Sequence, residues 1–127
     1  MKQIKEYKRL TRTIEGKWIL ENVHATAYEK WIEPFECIII NMGNYWNVME
    51  KYSSMWIIGG YSQNFRTRKS VIELALERIH EQTHEHLMTV QKLVDEKRIQ
   101  LRNVPLSTPF SINDYLTEQD RALIEAL

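Results

Sequence analysis

The residues best suited by type and spacing to do chemistry sit in one short run, His80-Glu81-Gln82-Thr83-His84-Glu85-His86, which holds three of the four histidines. Histidines four apart share a helix face, so His80 and His84 could chelate one ion. Glu77 and Glu81 each stand three residues before one of them. Di-metal bundles need such Glu-x-x-His pairs on two helices, and this sequence offers one long helical pattern. His86 lies about 200° round from His84 and does not join the pair. A third ligand would have to be Cys37, His24 or a distant carboxylate. His80 and His84 are therefore weak metal candidates, no cofactor is expected, and a solvated helix face that contains histidines is the simpler reading.

Other chemistries find less support. No Gly-x-Ser-x-Gly elbow is present, and Cys37 lies in the apolar run Phe35-Glu36-Cys37-Ile38-Ile39-Ile40, where a thiol is buried and inert. Gly59-Gly60-Tyr61-Ser62-Gln63-Asn64 falls between a strand pattern and a helix, but lacks the Gly-Lys-Ser/Thr and the Gly-x-Gly-x-x-Gly of phosphate-cradling loops. The expectation is a chain that is not an enzyme.

The elements that would position these residues follow from periodicity. The 127 residues, 43% hydrophobic, suit a single domain with one core. A sheet-forming half is expected over about 10–62. Phe35 to Met42 is its clearest strand, a β-branched run of the kind buried on both faces. Lys17 to His24 and Met55 to Tyr61 also read as strands, and Glu15-Gly16 as a hairpin turn. Residues 1–12, 25–32 and 45–51 fit helix or strand equally. Thr67 is the expected N-cap of a long helix over about 68–98, whose stripe is Ile72, Leu76, Ile79, Thr83, Leu87, Val90 and Val94. At 1.5 Å per residue such a helix spans roughly 45 Å, more than a sheet of this size covers. A Ser/Thr/Pro linker is expected over 103–114. A short helix over about 117–127 follows, opened by Thr117 and Asp120, with Leu123, Ile124 and Leu127 inward. The fold class is therefore α+β: an antiparallel sheet of three to five strands on one long helix, plus a short C-terminal helix. The expected core joins Ile39, Trp56, Ile58, Ile72 and Ile79.

Seventeen basic and seventeen acidic residues cancel, which argues against a chain that coats nucleic acid or an anionic membrane. A lone cysteine excludes an internal disulfide framework. No apolar stretch resembles a secretory signal or a membrane span, so the expected location is cytoplasmic, with no membrane partner. Four Trp and six Tyr are types enriched at binding surfaces. The reading is a small non-enzymatic module that recognises or inhibits a protein partner through an aromatic and helical surface: Tyr45, Trp46, Tyr61, Arg66, Arg68, Lys69, His86, Leu87, Val90 and Leu93. The over-long helix also suggests a homo-oligomer through its distal half. The alternative partner is nucleic acid, met by Lys5, Lys8, Arg9 and the basic turn Arg66-Thr67-Arg68-Lys69, where cations oppose the helix dipole unless an anion is present. Over Trp56 to Ile79, the Gly-ended strand, the Phe65-x-Thr67 opening and the amphipathic helix resemble the end of the arm-type DNA-binding domains of integrases. That resemblance implies DNA binding. A metal-dependent enzyme around His80 and His84 is the third reading.

Overall fold

The computed structural model describes residues 1–58 and 66–127. Four antiparallel strands follow one another in chain order: β1 (Lys2–Arg12), β2 (Trp18–Ile32), β3 (Phe35–Asn41) and β4 (Trp46–Glu50). The chain is α+β. The three segments that fitted helix or strand equally all lie in strands. Ala25 to Ile32 could present one helical face, but as part of β2 it is flanked by β1 and β3, with Ala27 opposite Ile40 and Ile32 opposite Phe35. Strand partners on both sides override so weak a local pattern. Glu15-Gly16 does turn the first hairpin, with Gly16 at φ +83°, a backbone conformation open to glycine at little cost.

The described part of the expected strand Met55 to Tyr61, Met55 to Ile58, is not a strand. Trp56 makes only an isolated bridge to Met49, and Gly59 to Tyr61 lie outside the described residues. The bridge is held by two bonds, Glu50 N–H to the Met55 carbonyl (2.7 Å) and Ile57 N–H to that of Val48 (2.9 Å). It leaves the Trp56 ring 41% exposed, so Trp56 does not belong to the expected core.

Alternate strand residues face opposite ways, and both faces of this sheet are occupied. One carries Ile32, Phe35, Cys37, Ile39 and Val48, which pack with helix residues. The other carries Ala27, Ile38, Ile40 and Met49, with Ile4, Tyr7 and Val23 beside them. The run Cys37 to Ile40 is accordingly buried throughout, at 2% exposure or less.

The single long helix of the sequence reading is two helices, α1 (Arg68–His80) and α2 (His84–Leu101). The apolar stripe runs through the break without a Gly or Pro to mark it. Thr83 decides it. Its backbone is extended and its hydroxyl accepts from His86 N–H at 3.1 Å, an N-cap in mid-pattern. Thr and Ser hydroxyls offer the backbone this alternative to helix continuation. Thr67 caps α1 as its residue type requires, accepting from Ser70 N–H at 3.1 Å. Val71, Ala75 and Ile79 of α1 and Val94 of α2 enter the core, while Leu76 is left exposed. No 45 Å helix projects, so the argument for a homo-oligomer from surplus helix length falls away.

The last element is α3 (Glu118–Glu125). Its capping box forms as the sequence implies: Asp120 N–H donates to Thr117 Oγ1 (3.1 Å), and Thr117 N–H to the Asp120 carboxylate (3.0 Å). The burial is not as expected. Leu123 and Leu127 are exposed, and it is Asp120 that is fully buried, bonded to Arg102 and to Asn103 (3.3 Å). A short helix docked by a carboxylate does not need its leucines. The 103–114 segment is more than a linker, since Phe110 pairs with Trp18 through two backbone bonds of 2.9 Å and is buried with Leu10 and Leu20.

Candidate functional site

Around Leu10 the molecule draws its two outer strands together. Leu10 N–H, at the end of β1, donates to Ser54 Oγ at 2.8 Å, four residues beyond β4. Ser54 holds φ +60°, an uncommon backbone for a non-glycine residue, and its N–H is tied to the Glu50 carbonyl at 3.1 Å. Glu50 organises this turn. Its side chain is fully buried and accepts from Tyr52 N–H (2.9 Å) and Ser53 N–H (2.7 Å). The turn therefore has a carboxylate where an ordinary strand exit would have water.

Between β1, this turn and the C-terminal part of α2 lies a cavity of about 650 Å³, within the range of small-molecule sites. Its apolar lining comes from Ile4, Leu20, Ile38, Ile99 and Leu101. Four cations and two carboxylates also line it: Lys8, Lys51, Arg98 and Arg102, with Glu6 and Glu29. Most of these charges are already neutralised. Lys51 pairs with Glu29 at 3.1 Å and reaches Glu36 at 3.8 Å. Burial works against the Lys51 charge, but the hydrogen bond to Glu29 and the carboxylates around it prevail and hold its pKa above the usual lysine value. Arg102 is committed to Asp120. The backbone hydrogen bond from Thr117, with Arg102, keeps the Asp120 carboxyl below the usual range. Glu6 accepts from Asn22 Nδ2 (3.0 Å) and lies 3.4 Å from His24. Arg98 sits 4.3 Å over the Tyr52 ring, and the Tyr52 hydroxyl donates to Glu36 at 2.9 Å. Burial and that bond push the Tyr52 pKa up, as burial does for Tyr7, against the pull of Arg9. Among the described residues Lys8 and Arg98 have no carboxylate partner.

The residues singled out from sequence are not gathered at one place. Tyr45 and Trp46 are half-buried; Trp46 lies 6.2 Å from the Tyr28 ring, and Arg68 caps the two at 4.1 Å from Tyr28 and 5.9 Å from Trp46. Arg68 is thus spent on aromatic faces of its own fold. Lys69 stands 4.0 Å from Glu73, and Arg66 is exposed. Leu87 and Val90 pack on the core rather than presenting a surface; Leu93 remains 47% exposed. His86 is exposed, and Tyr61 lies outside the described residues. His80 ends α1 and His84 opens α2, so the four-residue spacing no longer sets both rings on one helix face. No group of three or more potential ligands that could hold a metal ion occurs among the described residues. Of the basic N-terminal residues, Lys8 alone lines the cavity.

Sequence reasoning missed Lys51, Tyr52, Arg98 and Arg102 as a set, because strand exit and helix end are far apart in the chain. Spacing within either segment carries no sign of the other. Cys37 is as buried as its apolar run implies. Burial, reinforced by the neighbouring Glu50 charge, pushes its thiol up to about 12. Ellman's reagent at pH 8 should leave it unmodified until denaturant is added. The sign of the pH effect follows. Below the ordinary thiol value of about 9 the thiol is protonated in both states. Between about 9 and about 12 the unfolded chain loses the proton and the folded chain keeps it, so this residue lowers stability as pH rises through that window. Urea unfolding at pH 8 and pH 10.5, compared between the native chain and Cys37→Ala, checks it: the variant's loss over that interval should be the smaller.

No family model matches the chain, and neither a curated protein nor a solved structure matches it. No helix among the described residues is long and apolar enough to cross a membrane.

Proposed function

We propose that this chain is a non-enzymatic binding module and that the cavity beside α2, rather than an aromatic and helical surface, is where it binds. The observation that carries the reading is the cavity itself: about 650 Å³, with apolar side chains beside charged ones of which Lys51, Glu29 and Arg102 are already paired, a volume typical of small-molecule sites. Side chains counted toward a protein-binding surface are otherwise engaged, Leu87 and Val90 in the core and Arg68 on Tyr28. The large apolar groups left out on α2, Met88 and Leu93, are single exposed residues of the kind any surface carries. Lys2 and Lys5 of β1, which do not line the cavity, have a structural use. Among the described residues β1 pairs only with β2, and charged residues on an edge strand deter pairing with other chains.

The test uses a neutral, environment-sensitive dye. Nile red should bind the native protein saturably at one site, and Ile99→Trp, which fills the cavity from a half-buried position on α2, should abolish that binding with little change in melting temperature. Dye binding that never saturates, or that is unchanged in a folded Ile99→Trp variant, would overturn the reading in favour of a protein-binding surface. A binder of nucleic acid would instead show affinity for DNA that falls steeply with salt.

A further inference from the structure

We infer that the cavity selects an amphipathic anion, an apolar chain or ring system bearing one carboxylate, with Lys8 and Arg98 receiving the charged end. The inference rests on the small-molecule reading above and adds the class of ligand. Its basis is the charge left over once the internal pairs are removed. Lys51 is taken by Glu29 and Arg102 by Asp120. Glu6 is occupied by Asn22 and stands against His24. Lys8 and Arg98 remain, one on β1 and one on α2, and both line the same space as Ile4, Leu20, Ile38, Ile99 and Leu101. Both are exposed, so beside a neutral ligand water alone would serve them as acceptor. A cationic ligand would meet them as like charges, offset among the described residues by Glu6 in the lining and by Glu36 behind Tyr52. A carboxylate supplies a charged acceptor in place of water, and charge-assisted bonds of this kind are about twice as strong as neutral ones.

Arg98 also fixes where the charge would be received. Its guanidinium lies over the Tyr52 ring at 4.3 Å. Stacking of this sort holds the planar fork in place and leaves its N–H edges free for an oxyanion. Tyr52 is held in turn through Glu36, and the backbone around it by Glu50. The ring against which Arg98 rests is therefore carried by a braced turn.

Isothermal titration calorimetry of the full chain with decanoate, decanol and decylammonium, each below its micellar concentration, separates the possibilities. Decanoate should bind one to one and tighter than decanol by about tenfold to a hundredfold, the range of one hydrogen bond to a charged group. The double variant Lys8→Gln/Arg98→Gln should bind decanol as before and lose the preference for decanoate; retained decanol binding shows that it is folded. Equal affinity for decanoate and decanol, preference for decylammonium, or a preference for decanoate that survives in the double variant would each overturn the assignment of an anion while leaving the cavity reading intact. Failure of all three probes to bind would overturn both.

Discussion

Phe110→Ala should cost on the order of 3–5 kcal/mol of folding stability, the usual range for truncating a fully enclosed aromatic side chain. Phe110 is 1% exposed and lies in a segment whose Ser, Thr and Pro content suggests a solvated linker. Its ring sits with Leu10 and Leu20, Trp18 and Leu101 pack alongside, and Tyr115 meets it edge-on at 6.2 Å between centroids. The backbone bonds it exchanges with Trp18 extend the sheet beyond the start of β2. Trp18 is gripped from its other surroundings by Arg12 at 5.1 Å and Lys97 at 5.5 Å, so truncating Phe110 opens a space that a held neighbour cannot simply fill. Urea unfolding measures the loss. A change under about 1 kcal/mol would mean that the segment is the linker its composition suggests.

Glu50→Ala should cost nearly as much, about 2–5 kcal/mol, by leaving Tyr52 N–H and Ser53 N–H without their acceptor at about 1–3 kcal/mol per buried unsatisfied group. Glu50→Gln keeps one carbonyl oxygen in the same place and should lose substantially less. The contrast between the two variants matters more than either value. It tests whether the carboxylate acts as a backbone acceptor for the 51–54 turn, which the bond lengths of 2.7 and 2.9 Å describe. Equal losses in both variants would assign the effect to charge. Because the turn carries Lys51, Tyr52 and Ser54 into the cavity lining, Glu50→Gln should also weaken decanoate binding less than Glu50→Ala does, in proportion to how far the turn loosens.

The features legible in the residues alone were local. The apolar run Cys37 to Ile40, β-branched from Ile38 on, announced a strand buried on both faces, Thr67 and the Thr117–Asp120 pair announced helix starts, and Glu15-Gly16 announced a turn. Each of these signals lies within a few residues, where residue type acts directly on the backbone or on period-2 burial. The α+β class followed from them. Tertiary structure decided what depended on groups remote in the chain. Thr83 looks like one more position in an apolar stripe, and only the packing of α1 and α2 onto the core makes its hydroxyl a cap; with that break the His80–His84 pairing dissolves. Trp56 reads as core but is left on the outside by a single bridge. Phe110 reads as linker but fills the space beside Leu10 and Leu20. The cavity is the extreme case, since Lys8 and Arg98 are ninety residues apart and neither stands in a motif. What makes them a pair is the charge their neighbours have already spent, Glu29 on Lys51 and Asp120 on Arg102, and that balance exists only once strand, turn and helix are folded together.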